Sequence, residues 1–455
     1  MPASTRSPMS RPRGRRLLAV GAAGGVLCAC AAYHPLPLAR QPAFTPEVAV
    51  LAHSAPLPPA PLSVEQVAAL AVEDDPDLRA VRAQHGIAEA QLIAAGVLPN
   101  PRLGGAILPL LAGPGNTTAW NAALSVDVKA LVTLQARKQV AREAVRQVDA
   151  QVLWQEWQVA GQARLLAVDL IEGGRYLALL SEERDLLAGR LQRVQAAVAA
   201  GNLTLASASP YVLAQQTAQT QVDDEARRLL GQRHQLNALL GLAPEIAVPL
   251  ADSVDLPPLD IADIQAELPG LAQRRPDLVA LQLGYHAQDA RLRVAILSQF
   301  PNLLFGVFGG SDNANVRNAG PQVNMDLPVF DRNQGGVAVE QATRAMLHEE
   351  YAARLTAAHG QVRAILVERA QTTRQLERSR AELPAAQTAA GKAAAAAAAG
   401  NLDQRAEVDL LSAAAGKAQQ IVTLEQALED EQVALATLVG AGLPAVQLPP
   451  EEARK

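Results

Sequence analysis

Asp75-Pro76-Asp77-Leu78 returns two hundred residues later as Arg275-Pro276-Asp277-Leu278, and this echo decides how the chain is read. Leu98-Pro99-Asn100 returns as Phe300-Pro301-Asn302, and Ala200-Gly201-Asn202-Leu203 returns as Ala399-Gly400-Asn401-Leu402. Leu240-Gly241-Leu242 is echoed by Val439-Gly440-Ala441. Any one of these pairs is noise. Four landmarks in the same order, at a near-constant offset, indicate an internal duplication.

Each copy has the same layout. A helix of about 30 residues comes first, Ser63 to Ala95 and then Asp260 to Ser298, with Ser63 and Gln66 spaced as a capping box. Two short β-type runs follow. A very long proline-free helical stretch comes next, Leu134 to Ala200 in copy one. Its counterpart runs from Gln334 to Ala399 and contains Pro384, which predicts a kink. An Ala-Gly-Asn-Leu break then leads into another helix of about 40 residues. Ala141, Val145, Val148 and Val152 step by 4, 3 and 4, which is coiled-coil spacing. About 65 helical residues at 1.5 Å each reach roughly 100 Å, several times the width of a compact domain. Ala393 to Ala399 is an unbroken alanine run, suited to close helix approach.

The short runs have period two. Ala122, Leu124, Val126 and Val128 alternate with Asn121, Ala123, Ser125 and Asp127. Val323-Asn324-Met325-Asp326-Leu327 alternates strictly, and Leu303, Phe305 and Val307 share one face of a third run. Arg102 to Leu111 is the fourth. Such alternation predicts strands half-buried against something. Gly113–Thr118 and Gly309–Gly320 read as the hairpin loops. Transmembrane barrels start at about eight strands, so four strands per chain require several chains for one barrel. A soluble sheet packed on helices is the alternative reading.

Composition agrees with a helical exported protein. Of the 455 residues 49 % are hydrophobic but only 3 % aromatic, so alanine and leucine supply the apolar share. Past the first thirty residues no stretch of about 20 apolar residues appears. Arg6, Arg11, Arg13, Arg15 and Arg16 precede the short apolar run Leu17–Leu27, the pattern of a cleaved signal peptide. Leu27-Cys28-Ala29-Cys30 resembles a bacterial lipobox, with Cys30 as the lipidated first residue of the mature chain. Arg15-Arg16 also suggests a twin-arginine signal, which suits a membrane strand poorly because that strand must cross unfolded. Removing five arginines and no acids takes the formal net charge from −5 to about −10, a poor basis for binding nucleic acid. The expected organisation is a signal peptide over 1–29, a lipidated Pro/Ala-rich arm over 30–61, repeat one over 62–250, repeat two over 251–445 and a tail over 446–455.

Leu327-Pro328-Val329-Phe330-Asp331-Arg332-Asn333-Gln334-Gly335 is similar to the "LPLFDRNQG" turn of the TolC family of outer membrane factors, wording common in its heavy-metal-efflux branch. Arg274-Arg275-Pro276-Asp277-Leu278 resembles that family's "RRPDL" segment, and the lipobox matches its lipoprotein members. Copy one departs from the pattern, with Val128-Lys129-Ala130-Leu131 at the turn. The resemblance covers nearly all of the mature chain. It implies a mainly α protein with a small β part, whose duplicated helix–strand–strand–helix repeat forms a homotrimeric outer-membrane β-barrel, four strands per chain, continuous with a long periplasmic α-helical barrel. It implies an outer-membrane lipoprotein, palmitoylated at Cys30, extending into the periplasm. The function implied is a passive export duct for small molecules or metal ions. Partners would be a periplasmic membrane fusion adaptor, an inner-membrane transporter of the RND type, and outer-membrane lipid.

On that reading Gly201, Asn202, Gly400 and Asn401 form the periplasmic tip that meets the adaptor. Asp403, Glu407 and Asp409 are candidates for an acidic entrance gate, with Ser412 where the family's Leu-Leu-Asp-Ala has aspartate. Asn121, Ser125, Asp127, Asn324 and Asp326 should face the barrel lumen. Two other readings remain open: a lipid-anchored coiled-coil adaptor without a barrel, and the duct of a type I protein secretion system. No nucleophile–base pair is present, so no enzyme is expected. The seven histidines show no metal-ligand spacing, and no cofactor is expected. Trp154 and Trp157 share a helix face and read as packing between helices.

Overall fold

The computed structural model describes residues 33–51, 61–446 and 448; the signal segment and Cys30 lie outside the described residues. Residues 33–44 belong to a separate unit and are exposed, irregular backbone. The body begins at Thr45, earlier than the expected residue 62. Thr45 pairs with Leu242 and Leu62 with Leu250, and Leu51 and Leu62 are buried. An apolar Leu-Val patch beside a proline-rich arm has a core to enter, so part of the arm joins the fold.

Copy one runs α1 (Val64–Asp74), α2 (Pro76–Gly96), β1 (Arg102–Leu108), β2 (Ala119–Asp127), α3 (Val128–Ala199) and α4 (Ser209–Leu239). Copy two runs α5 (Ile261–Glu267), α6 (Leu271–Arg274), α7 (Pro276–Leu297), β3 (Leu303–Ser311), β4 (Arg317–Met325), α8 (Gln334–Ala398) and α9 (Gln404–Val439). The single first helix expected in each copy is broken at the Pro-Asp-Leu echo. Pro76 and Pro276 each open a helix, because proline lacks an N–H and disfavours helical geometry in the residue before it. Asp75 completes the first break by accepting the Leu78 amide at 2.8 Å. Pro384 lies inside α8, whose assignment runs through it without a break. Helices of 72 and 65 residues, α3 and α8, reach roughly 100 Å each.

The duplication is visible in the packing. One core joins Val64 and Ala71 of α1, Leu236 of α4 and Leu240 just after it. The other joins Ile264 of α5, Leu271 of α6, and Leu435 and Val439 of α9. These residues are the same repeat positions, 200 or 199 apart. Small residues bring the long helices together. A Cβ on Gly161 of α3 would lie 2.7 Å from the Thr437 hydroxyl of α9. Four residues before Gly161, Trp157 closes the same junction, donating its indole N–H to the Thr437 carbonyl at 2.9 Å. Trp154 packs under the Arg275 guanidinium, 5.0 Å from ring centre.

The four strands form one antiparallel sheet in the order β1-β2-β3-β4. The β2–β3 ladder joins the two copies, with Leu124 opposite Val307. Both strands of copy two run further into the expected loop than the sequence suggests, leaving only 312–316 between them. Asn313 ties the two hairpin loops together, donating to the Thr117 carbonyl at 2.9 Å.

Candidate functional site: the sheet faces and the helix-turn end

Register sorts the sheet into two unlike faces. Residues directly opposite in an antiparallel ladder share a face. Ser125 lies opposite both Arg102 and Gly306, and Gly306 opposite Gln322. Asn121, Ser125, Asp127 and Asn324 therefore fall on one face, together with Arg102, Asn318 and Gln322. The rest of that face is small, apart from Leu108, Leu304 and Phe308. The other face carries Leu103, Ile107, Trp120, Leu124, Val126, Phe305, Val307, Val323 and Met325. It is not covered: Leu103 is 81 % and Ile107 77 % exposed. A continuous apolar sheet face open to its surroundings is suited to lipid. Nine residues at about 3.3 Å, tilted as barrel strands are, span roughly the 25 Å of an outer-membrane apolar band.

Two of the expected lumen residues also hold the strand ends. Asp127 caps α3 by accepting the Ala130 amide at 3.0 Å, and lies 3.8 Å from Arg102. Asp326 stands one residue beyond β4, on the same parity as Asn324, and accepts from Asn302 at 3.0 Å. Asn318 and Gln322 were missed because their strand was read partly as loop. β1 and β4 each have a partner on one side only, so the sheet ends in two open edges.

At the far end of the long helices the two turns repeat each other. Gly201 has φ +78° and Gly400 +74°, left-handed conformations that glycine adopts without strain. The Asn202 amide bonds to Ala197 and the Asn401 amide to Ala396, at 2.9 and 2.8 Å, closing helices α3 and α8 in the same way.

The three acidic gate candidates do not form one cluster. Asp403 and Asp409 are exposed and line a cavity of about 910 Å³ between α4 and α9, with Arg405 and Ser412. Glu407 turns the other way and is 3 % exposed. One carboxylate oxygen accepts from the Tyr211 hydroxyl at 2.5 Å, and the other lies 3.2 Å from Arg190. Asp409 sits about 200° around α9 from Glu407, whereas Asp403 lies just before the helix, in the N-cap position with extended backbone. Burial pushes the Tyr211 phenol up, and its hydrogen bond to Glu407 adds to this. Arg190 and Tyr211 were missed by sequence reasoning. The one signal was a lone aromatic in its helix, Tyr211 beside Pro210.

Nearer the middle of α9, carboxylates crowd against α3 and α4. Glu429 is pushed up to about 7 by burial first and by Glu172 second, against the pull of Arg175. Asp430 is pushed up to about 7 by burial and by Asp169, against Arg228. Among the described residues no group of histidine, cysteine, aspartate and glutamate is placed to hold a metal ion. No helix among them is long and apolar enough to cross a membrane.

A sheet with one lipid-suited face, one polar face and two open edges, carried on helices of roughly 100 Å, has the form of one chain's share of a larger barrel with a helical extension. Residues 268–441 match the sequence model of the family described as outer membrane efflux protein. The matched segment lies in the second copy, and the duplication carries the same plan through the first. The chain is 25 % identical over 298 residues, 64 % of this chain and 69 % of the other, to the cobalt-zinc-cadmium resistance protein CzcC of Cupriavidus metallidurans. Its fold is similar to that of CusC, with TM-score 0.69 at 18 % identity, covering 89 % of this chain and 99 % of that one. It is also similar to the outer membrane channel CmeC of Campylobacter jejuni, with TM-score 0.70 at 13 % identity over 91 % and 95 % of the two chains.

Proposed function

We propose that three copies of this chain close one twelve-stranded barrel in the outer membrane and one helical tunnel beneath it, forming the passive duct of a tripartite efflux pump. The observation that carries this is the four-stranded sheet with two open edges. A sheet exposing an apolar face to lipid must satisfy every edge group, and four strands are too few to close on themselves. The same sheet weighs against a lipid-anchored adaptor without a barrel.

Gly201, Asn202, Gly400 and Asn401 form the periplasmic tip that receives a membrane fusion adaptor, with an RND-type transporter as the energised partner. Cys30 carries the lipid anchor. Glu407 is the gate residue of the three candidates: clamped by Arg190 and Tyr211, it fastens the start of α9 to α3 and α4. Asp403 and Asp409 stay exposed at the entrance, where threefold repetition favours cations over anions. The resemblance to a cobalt-zinc-cadmium resistance protein supports divalent metal cargo.

The test is carbonate extraction of membranes holding the Cys30→Ala protein, paired with metal susceptibility of the deletion strain. Retention of the variant in the outer-membrane fraction, and sensitivity to cobalt, zinc or cadmium on deletion, are expected. Release into the soluble fraction overturns the barrel. Unchanged metal tolerance overturns the cargo.

A further inference from the structure

We propose that the junction between neighbouring copies repeats, residue for residue, the β2–β3 junction inside each copy, so that Asp326 of one chain lies opposite Arg102 of the next. This inference rests on the barrel reading above and adds its register.

The argument uses the duplication. Pro99-Asn100 and Pro301-Asn302 equate Arg102 with Leu304. The two hairpins pair Arg102 with Ser125 and Leu304 with Asn324, which equates Ser125 with Asn324 and Asp127 with Asp326. Inside the chain Asp127 lies opposite Leu304, Ser125 opposite Gly306 and Ala123 opposite Phe308. Translated through the repeat, Asp326 faces Arg102 of the next copy, Asn324 faces Gly104, and Gln322 faces Ala106.

Two independent features fit this register. The first is the direction of the free backbone groups. The Asp326 amide bonds back to Asn302, so even-numbered residues of β4 point toward β3 and odd-numbered ones toward the open edge. The Ala106 amide is turned toward β2, where it meets the Asn121 side chain, so the odd residues of β1 point outward too. The proposed ladder pairs Met325 with Leu103 and Val323 with Gly105, outward group to outward group. A slip of one residue would set outward groups against inward ones and flip the apolar face. The second is charge. Arg102 and Asp326 both lie on the polar face, where Arg102 already approaches Asp127 at 3.8 Å. The next copy's Asp326 would give it a second carboxylate. Pro321, an outward position opposite Ile107, withholds one donor, as proline on an edge strand does.

The test is disulfide trapping in the full-length protein. Asn324 and Gly104 would form a non-hydrogen-bonded pair, with Cα atoms about 4.5 Å apart, within disulfide reach. Within one chain a Cβ at Gly104 meets nothing within 4 Å, so the cysteine is accommodated before the chains associate. Oxidised N324C/G104C is expected to give a reducible covalent ladder ending at three chains, with each single variant and N324C/A106C as controls. D326R is expected to abolish the SDS-resistant oligomer, and R102E/D326R to restore it. An amine-reactive cross-linker that still captures trimers, while N324C/G104C gives no ladder or N324C/A106C gives the stronger one, overturns the register and leaves the barrel reading standing. Capture of no oligomer overturns both. An SDS-resistant oligomer undisturbed by D326R overturns the ion pair.

Discussion

Tyr211 of α4 donates its hydroxyl to Glu407 of α9 across 2.5 Å, joining two helices whose contact residues are 196 positions apart in the chain. Arg190 of α3 completes the junction at 3.2 Å. Three elements thus meet on one buried carboxylate at the end where the paired glycine turns lie. Removing it should loosen that end and nothing else. Glu407→Ala leaves the half-buried Arg190 without this partner, so the junction loses on the order of 1 to 3 kcal/mol. In planar bilayers the variant should conduct several-fold more than the wild-type protein. Tyr211→Phe should give a smaller rise, because the Arg190 pairing survives. Conductance equal to wild type in both would remove this junction as the gate.

The glycine turns carry a separate expectation. A Cβ meets nothing within 4 Å at Gly201 or Gly400, so the cost of a side chain there is all backbone. Gly400→Ala at φ +74° should destabilise by about 1 kcal/mol. Gly400→Asn should cost less, since asparagine tolerates this region. Hydrogen exchange of the amides from 395 to 405 reads the difference; equal protection in the two variants would contradict it.

Close helix approach can be tested at Gly161. An added methyl would collide with Thr437 at 2.7 Å, an overpacking cost of about 1 to 3 kcal/mol. Thr437→Ala removes the obstructing atoms. The double variant Gly161→Ala/Thr437→Ala should therefore be more stable than the sum of the singles by at least ~1 kcal/mol. Additive melting temperatures would mean that the junction yields in some other way.

Acid should stabilise the helical part. Glu429 and Asp430 are pushed up to about 7. A carboxyl raised above its unfolded value favours the fold while protonated, and that contribution is lost as pH rises through the folded value. Stability should thus fall between about pH 4 and pH 7. Because both groups are partly solvated, each contributes about 1 kcal/mol after screening rather than its full shift. Glu429→Gln should raise the melting temperature at pH 8 and leave it nearly unchanged at pH 5. A gain that is the same at both pH values would exclude this cause.

The sequence revealed the fold where residue identity is forced by the backbone. Glycine at 201 and 400, and proline at 76 and 276, mark turns that no other residue makes as well, so the duplication could be counted from them. It misled where one residue type serves two purposes. Gly309, Gly310 and Gly320 read as loop, yet they lie in strands. At Gly310 a bare backbone is needed: a Cβ there would sit 2.7 Å from the Trp120 carbonyl. The residues of the polar sheet face were legible because period two is local. The grouping of Asp403, Glu407 and Asp409 was not, because what separates them is the tertiary partner of Glu407, and neither Arg190 nor Tyr211 is near it in sequence.

The account turns on a barrel that no single chain can close. Native mass spectrometry of the full-length protein, extracted in detergent from the outer membrane, tests this most directly. A dominant species of three chains, dissociating to monomer only on denaturation, is the predicted result; a monomer or a dimer that carries the folded sheet would contradict it.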